Sequence, residues 1–431
     1  MIKRILYTLL IMFPVVASAQ INTDRVMAIG RNALYFEDYV LSIQYFNQVI
    51  NAKPYLSDPY FYRGLAKINL DDFQGAESDC SEAIERNPFV VSAYQVRGLA
   101  RIQQNNFAGA IEDYTKALEF DPENIGVWHN MALCRIRQED YKGAKNDLDK
   151  LIAISPRYTK AYLMRGEVDL KQKDTLAAEK DFGKAIEIDR YDADTWASRA
   201  ILRLQQQRYK DAEADFDHAI RLSTRNSGVY INRALARYHQ NNLRGAMSDY
   251  DIALDIDPNN FIGHYNRGLL RAQVGDDNRA IQDFNFVIEM EPDNMMAIFN
   301  RGLLLDQTGD YKGAIKDYST VINEYPNFLL GYQYRAQARR KIGDVKGADA
   351  DEFKVLKAQL DKQNGVDPNK QTADNTENNK TRKKSDKNMN NYRKIVVADN
   401  EEGEEKYKSD YRGRVQDKNV NIVPQPMFVL T

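Results

Sequence analysis

Apolar and polar positions follow one another along most of this chain with the period of amphipathic helices, and the pattern returns every 34 residues. NRGLLLDQTGDYKGAIKDYSTVINEYP, residues 300–326, is a near copy of NRGLLRAQVGDDNRAIQDFNFVIEMEP, residues 266–292. Steps of 34 land on Gly30, Gly64, Gly98, Ala132, Gly166, Ala200, Ala234, Gly268, Gly302 and Ala336. Twelve residues after each stands Ser42, or one of Ala76, Ala110, Ala144, Ala178, Ala212, Ala246, Ala280, Ala314 and Ala348. The spacing predicts ten units, each of two helices joined by a tight turn such as TGD or QNN. Small residues belong where the two helices cross closest, because a larger side chain would push the backbones apart. An aromatic filler follows on the second helix, as at Phe216, Tyr250, Phe284 and Tyr318. In seven units a Pro then ends that helix, among them Pro258, Pro292 and Pro326.

A 34-residue helix-turn-helix with small, small, aromatic and Pro at these offsets resembles the tetratricopeptide repeat. Trp128 and Trp196 fall at that family's aromatic position, four before the small residue, as do Tyr60, Tyr94, Tyr162, Tyr230 and Tyr332. The resemblance implies an all-α, right-handed α-solenoid over residues 23–362, with the first helix of each pair lining a concave groove. It identifies architecture; function has to be argued from sites.

Two departures from the family pattern carry the chemistry. Where the family has Leu before the small residue, eight units have Arg, including Arg233, Arg267 and Arg301. Sixteen residues beyond these three stand Asp249, Asp283 and Asp317. A second basic residue follows one helical turn after the Arg in most units, on the same face. An Arg fork can hold a carboxylate with two parallel hydrogen bonds, so the pattern predicts an Arg–Asp ladder within or between repeats. A stripe of arginines for an anionic ligand is the competing reading.

By family precedent, groove-facing positions lie six and three before the small residue and one after it. In the C-terminal half these turn apolar together: Ile262, Tyr265 and Leu269, then Met296, Phe299 and Leu303, then Leu330. They read as a docking surface for a protein or peptide, or as packing between adjacent helices. Asn232, Asn266 and Asn300 sit two before the small residue, where the resemblance implies hydrogen bonding to the backbone of an extended peptide. The lysines that would complete a clamp for a terminal carboxylate are absent from neighbouring groove positions, which argues against chaperone-tail recognition.

Composition narrows the function further. Net charge is −2 over 431 residues, so no general basic face invites nucleic acid. Cys80 and Cys134 read as buried thiols. The four histidines lie in separate units, and no phosphate loop or metal-ligand spacing breaks the repeat. The chain therefore reads as a scaffold or adaptor for protein or peptide partners, with no catalytic residues, cofactor or metal. Carbohydrate or cell-wall binding through the many tyrosines is the alternative.

Both ends differ from the repeats. MIKR, a twelve-residue apolar stretch and ASA form the pattern of a signal peptide, residues 1–19, with an uncleaved anchor or a buried first helix as alternatives. This leader implies an exported protein, periplasmic or envelope-associated in a Gram-negative bacterium, without a transmembrane segment in the mature chain. Residues 363–431 are polar and rich in Asn and Lys, the composition of a disordered linker. They end in NVNIVPQPMFVLT, which reads either as a motif docking to another protein or as a frayed end.

Overall fold

The computed structural model describes residues 22–222, 225–363, 389–395 and 398. The leader and the apolar C-terminal stretch lie outside the described residues. The described helices fall into two compact units, one reaching Ile188 and one starting at Asp189.

The first unit holds five helical hairpins: α1 (Thr23–Tyr35) with α2 (Tyr39–Ala52), α3 (Asp58–Ile68) with α4 (Phe73–Arg86), α5 (Val91–Gln103) with α6 (Phe107–Phe120), α7 (Ile125–Arg137) with α8 (Tyr141–Ile154), and α9 (Thr159–Lys171) with α10 (Thr175–Ile188). The second unit holds five more: α11 (Ala193–Gln205) with α12 (Tyr209–Arg221), α13 (Ser227–His239) with α14 (Leu243–Ile256), α15 (Phe261–Gln273) with α16 (Asp277–Met290), α17 (Met295–Thr308) with α18 (Tyr311–Glu324), and α19 (Leu329–Lys341) with α20 (Val345–Gln363). The architecture is all-α, with consecutive paired helices stacked as in a repeat solenoid. Within each unit first helices also meet: α1 touches α3, α3 touches α5, α11 touches α13, and α15, α17 and α19 touch in series.

Local chemistry sets each hairpin. Most second helices are capped by Asp or Asn: Asp140, Asn242 and Asp310 accept a hydrogen bond from the amide three residues on, whereas Arg208 before α12 makes no such bond. The turn between paired helices carries one left-handed residue in every repeat, from Glu37 through Asn241 to Gly275, Gly309 and Gly343. A β-carbon added at Gly166 would stand 2.5 Å from the ring of Phe182, and one at Gly302 would stand 2.9 Å from that of Tyr318. Close helix crossing on the core aromatic is thus what keeps those positions small. Pro258, Pro292 and Pro326 each lie two residues past the end of α14, α16 and α18. Cys80 and Cys134 are buried free thiols; burial pushes the Cys80 thiol well up, and that of Cys134 to about 12.

Of the residues past Gln363, those described, 389–395 and 398, pack on the helices. Residues 389–391 form a short 3₁₀ turn, and Met389, Tyr392, Ile395 and Ala398 are buried within the second unit. The composition argument weighed only the surface this stretch could bury against itself. The surface that covers it belongs to the helices.

Candidate functional site

Two constellations stand out in the second unit, and the first is the ionic seam between paired helices. The Arg233 guanidinium donates from Nε and Nη2 to the two carboxylate oxygens of Asp249, at 3.0 and 2.6 Å. Arg267 grips Asp283 in the same way at 3.2 and 2.7 Å, and Arg301 grips Asp317 at 2.8 and 2.7 Å. The third nitrogen reaches back sixteen residues into the preceding repeat: Arg233 to Asp217 at 2.7 Å, Arg267 to Asp251 at 2.8 Å, Arg301 to Asn285 at 2.9 Å. One arginine therefore ties its own hairpin and joins it to the one before. The second basic residue adds to the same carboxylate, as Arg237 does for Asp249 and Arg271 for Asp283. The aspartates are almost wholly buried, with side chains 1–5% exposed, so the seam is largely out of solvent.

The environment of each carboxylate follows its partners. Burial pushes Asp249 up in spite of its two guanidinium groups. At Asp283 burial acts in the same direction, but the hydrogen bond from His264 and the fork of Arg267 outweigh it and hold the group low. In the fourth repeat Met131 stands where the Arg belongs, and only Arg135 reaches Asp147, at 2.7 Å. Burial there raises the carboxyl to about 6.

The arginines are also covered by aromatic rings. Tyr230 lies under Arg233 and Trp196 under Arg199, at 5.6 and 5.1 Å from ring centre to guanidinium carbon. Trp196 Nε1 donates to the Arg190 carbonyl, and Tyr162 to that of Pro156. These rings are engaged in holding the seam and the inter-repeat turns, whereas Tyr35, Tyr55 and Tyr191 are exposed.

The second constellation is a groove lined by first helices, and residues 389–395 and 398 lie in it. Asn232 on α13 donates from Nδ2 to the Ala398 carbonyl at 3.1 Å and accepts from the Ala398 amide at 3.0 Å. Tyr265 on α15 and Asn300 on α17 both donate to the Tyr392 carbonyl, at 2.7 and 2.5 Å. Phe299 meets the Tyr392 ring edge to face, with centroids 4.8 Å apart. Met389 belongs to a cluster with Met296 and Phe299, against which Leu303 and Leu330 pack. Ile395 belongs to a cluster with Leu235, packed by Leu269, and Ala398 to one with Ile231, packed by Ile262. Asn266, between the two clasping asparagines, is fully buried.

Of the groove positions singled out by sequence, Asn232, Tyr265 and Asn300 hydrogen bond directly to the segment. Phe299 is more than a groove wall: its ring also packs on Tyr318, Phe328 and Tyr334. Sequence reasoning missed Met389, Tyr392, Ile395 and Ala398. Their signal is a short apolar patch, Met389, Tyr392 and the run from Ile395 to Ala398, inside a polar stretch. Met389, Tyr392, Ile395 and Ala398 are at most 9% exposed, whereas Asn390, Asn391, Arg393 and Lys394 face solvent.

Among the described residues no group of His, Cys, Asp and Glu is arranged to hold a metal ion. None of their helices is long and apolar enough to cross a membrane.

Comparison with known proteins agrees with the repeat architecture. Models described as tetratricopeptide repeat match residues 125–158, 159–192, 198–261 and 265–327, and one described as TPR repeat matches residues 98–134. Together they cover about half of the sequence. No curated protein matches. Among solved structures, a tetratricopeptide repeat protein from Parabacteroides merdae is 21% identical, over 58% of this chain and 98% of its own, with a TM-score of 0.45. PilF of Pseudomonas aeruginosa is 20% identical over 47% of this chain and 92% of its own, TM-score 0.41. YrrB, described as a TPR protein with an unusual peptide-binding site, is 18% identical over 43% and 95%, TM-score 0.39. The 34-residue hairpins, their small-residue crossings and these family matches make the chain a tetratricopeptide-repeat protein.

Proposed function

We propose that this chain is a non-catalytic scaffold that binds protein partners by taking an extended peptide into the groove of α13, α15 and α17. The observation that carries the reading is the paired hydrogen bonding of Asn232 with the amide and carbonyl of one residue, Ala398. Main-chain capture of this kind gives affinity without dictating sequence, and pockets between helices add the preference for side chains. The convergence of Tyr265 and Asn300 on a second carbonyl supports the same mode two repeats further along. The leader pattern alone places the work in the cell envelope, and N-terminal sequencing of the mature protein checks that placement.

Selection of displayed random peptides against the full-length chain tests the groove. Recovered peptides should carry apolar residues three apart, and each should bind at least about tenfold more weakly when Asn232 and Asn300 are both changed to Ala. Recovery of peptides indifferent to both asparagines, or of none, would overturn the reading. Phe299→Asp is a poor probe, because it would place a charge among Tyr318, Phe328 and Tyr334.

A further inference from the structure

Residues 389–398 occupy the groove in a fixed register. Between Ala398 at Asn232 and Tyr392 at Asn300, six residues of the segment pass two repeats, so three residues match each repeat. The segment turns as it goes: the Tyr392 amide donates to the Met389 carbonyl at 3.2 Å and the Lys394 amide to that of Asn391 at 2.8 Å. Met389 and Tyr392 share one cluster with Phe299, while Ile395 and Ala398 enter two others. The segment also runs against the order of the repeats, from Met389 beside the cluster of α17 to Ala398 at α13. That direction suits a chain that has left the last helix, α20, at Gln363 and returns over 25 intervening residues.

We propose that residues 389–398 are the resident ligand of the groove in cis, and that its partner is a peptide of the same spacing that must displace them. The partner's segment would place an aromatic residue between two apolar residues three positions away on either side, with a small residue three further on. The residues flanking the aromatic are unconstrained, as exposed Asn390, Asn391, Arg393 and Lys394 are here. This inference rests on the groove being a peptide site. It adds that the site is self-occupied, so that binding is a competition. A tethered segment faces its groove at an effective concentration of about millimolar. A partner must exceed that, or be tethered or concentrated itself.

The test uses the full-length chain and a fluorescent peptide, MNNYRKIVVA, identical to residues 389–398. Ile395→Asp in the chain releases the resident segment without altering the groove, and Tyr392→Ala is the second such variant. Circular dichroism checks that each is folded. The peptide should bind both released chains at least about tenfold more tightly than the wild type. Adding Asn232→Ala and Asn300→Ala to a released chain should abolish that binding. Equal affinity for wild-type and released chains would overturn self-occupancy while leaving the groove a peptide site. No binding to folded released chains would overturn both. A wild-type dimer in sedimentation that becomes a monomer on Tyr392→Ala would also overturn the cis assignment, because the segment would then belong to a second copy.

Discussion

At the scale of single residues, the seam explains why one aspartate differs from the rest. Asp147 is as buried as Asp249 or Asp283 but lacks the arginine that sits before the small residue elsewhere. Its carboxyl titrates at about 6, against about 4 in an unfolded chain. Below pH 4 both states hold the proton. Between about pH 4 and 6 the native state keeps it and the unfolded state releases it, so stability falls as pH rises through that window, by about 2–3 kcal/mol. Met131→Arg should weaken this dependence, although burial still raises Asp249 beside two guanidinium groups. The Met131 sulfur already lies 4.0 Å from Thr115 Oγ1, sixteen residues back, where Ser81 meets Arg97 and Ser319 meets Arg335. Urea unfolding from pH 4 to 7 should show wild type losing stability with rising pH relative to Asp147→Asn. Met131→Arg should lose less than wild type across the range. A wild-type profile parallel to that of Asp147→Asn would refute the assignment.

At the scale of the element, the turn inside each hairpin shows what a repeat leaves unoptimised. One residue per repeat takes the left-handed conformation, and only the last three are glycines. A side chain there costs about 1–2 kcal/mol. Asn and Asp, as at Asn105 and Asn241, tolerate the conformation better than Lys or Gln. Lys173 is exposed, with φ of 65°, between α9 and α10. Lys173→Gly should therefore raise the free energy of unfolding by about 0.5–1 kcal/mol, the relief of strain exceeding the entropy gained by the unfolded chain. A lower denaturation midpoint would show that Lys173 makes a contact worth more than the strain. The position was legible as a turn through TGD and QNN. Its left-handed residue was not legible in repeats that place Lys, Gln or Glu there, because those side chains give no sign of positive φ. The helices and crossings were legible because each recurs ten times at one spacing, whereas a single hairpin of this kind would have read as any helical pair.

At the scale of the whole molecule, what the sequence hid is what nothing repeats. Asn232, Asn300 and Tyr265 could be placed on a groove face from their offset to the small residue. The segment they hold occurs once, has no helical or strand period, and sits in a stretch rich in Asn and Lys. Its apolar residues mean something only beside the helix clusters that receive them. Energetics point to the same conclusion. Burial of Met389, Tyr392, Ile395 and Ala398 with four hydrogen bonds from groove side chains or to them contributes on the order of 10 kcal/mol. Ordering ten residues of backbone costs on the order of 10 kcal/mol. The docked segment is therefore held by a small difference, which a competing peptide can reverse. Hydrogen exchange should register that balance. In the Ile395→Asp chain, amides of α13, α15 and α17 should exchange faster than in wild type. Those of α1 to α6 should not change, since repeats are stabilised chiefly by their neighbours. If α13, α15 and α17 exchanged at wild-type rates, the segment would contribute nothing to its own groove, and the native state would have to be populated mainly with the segment undocked.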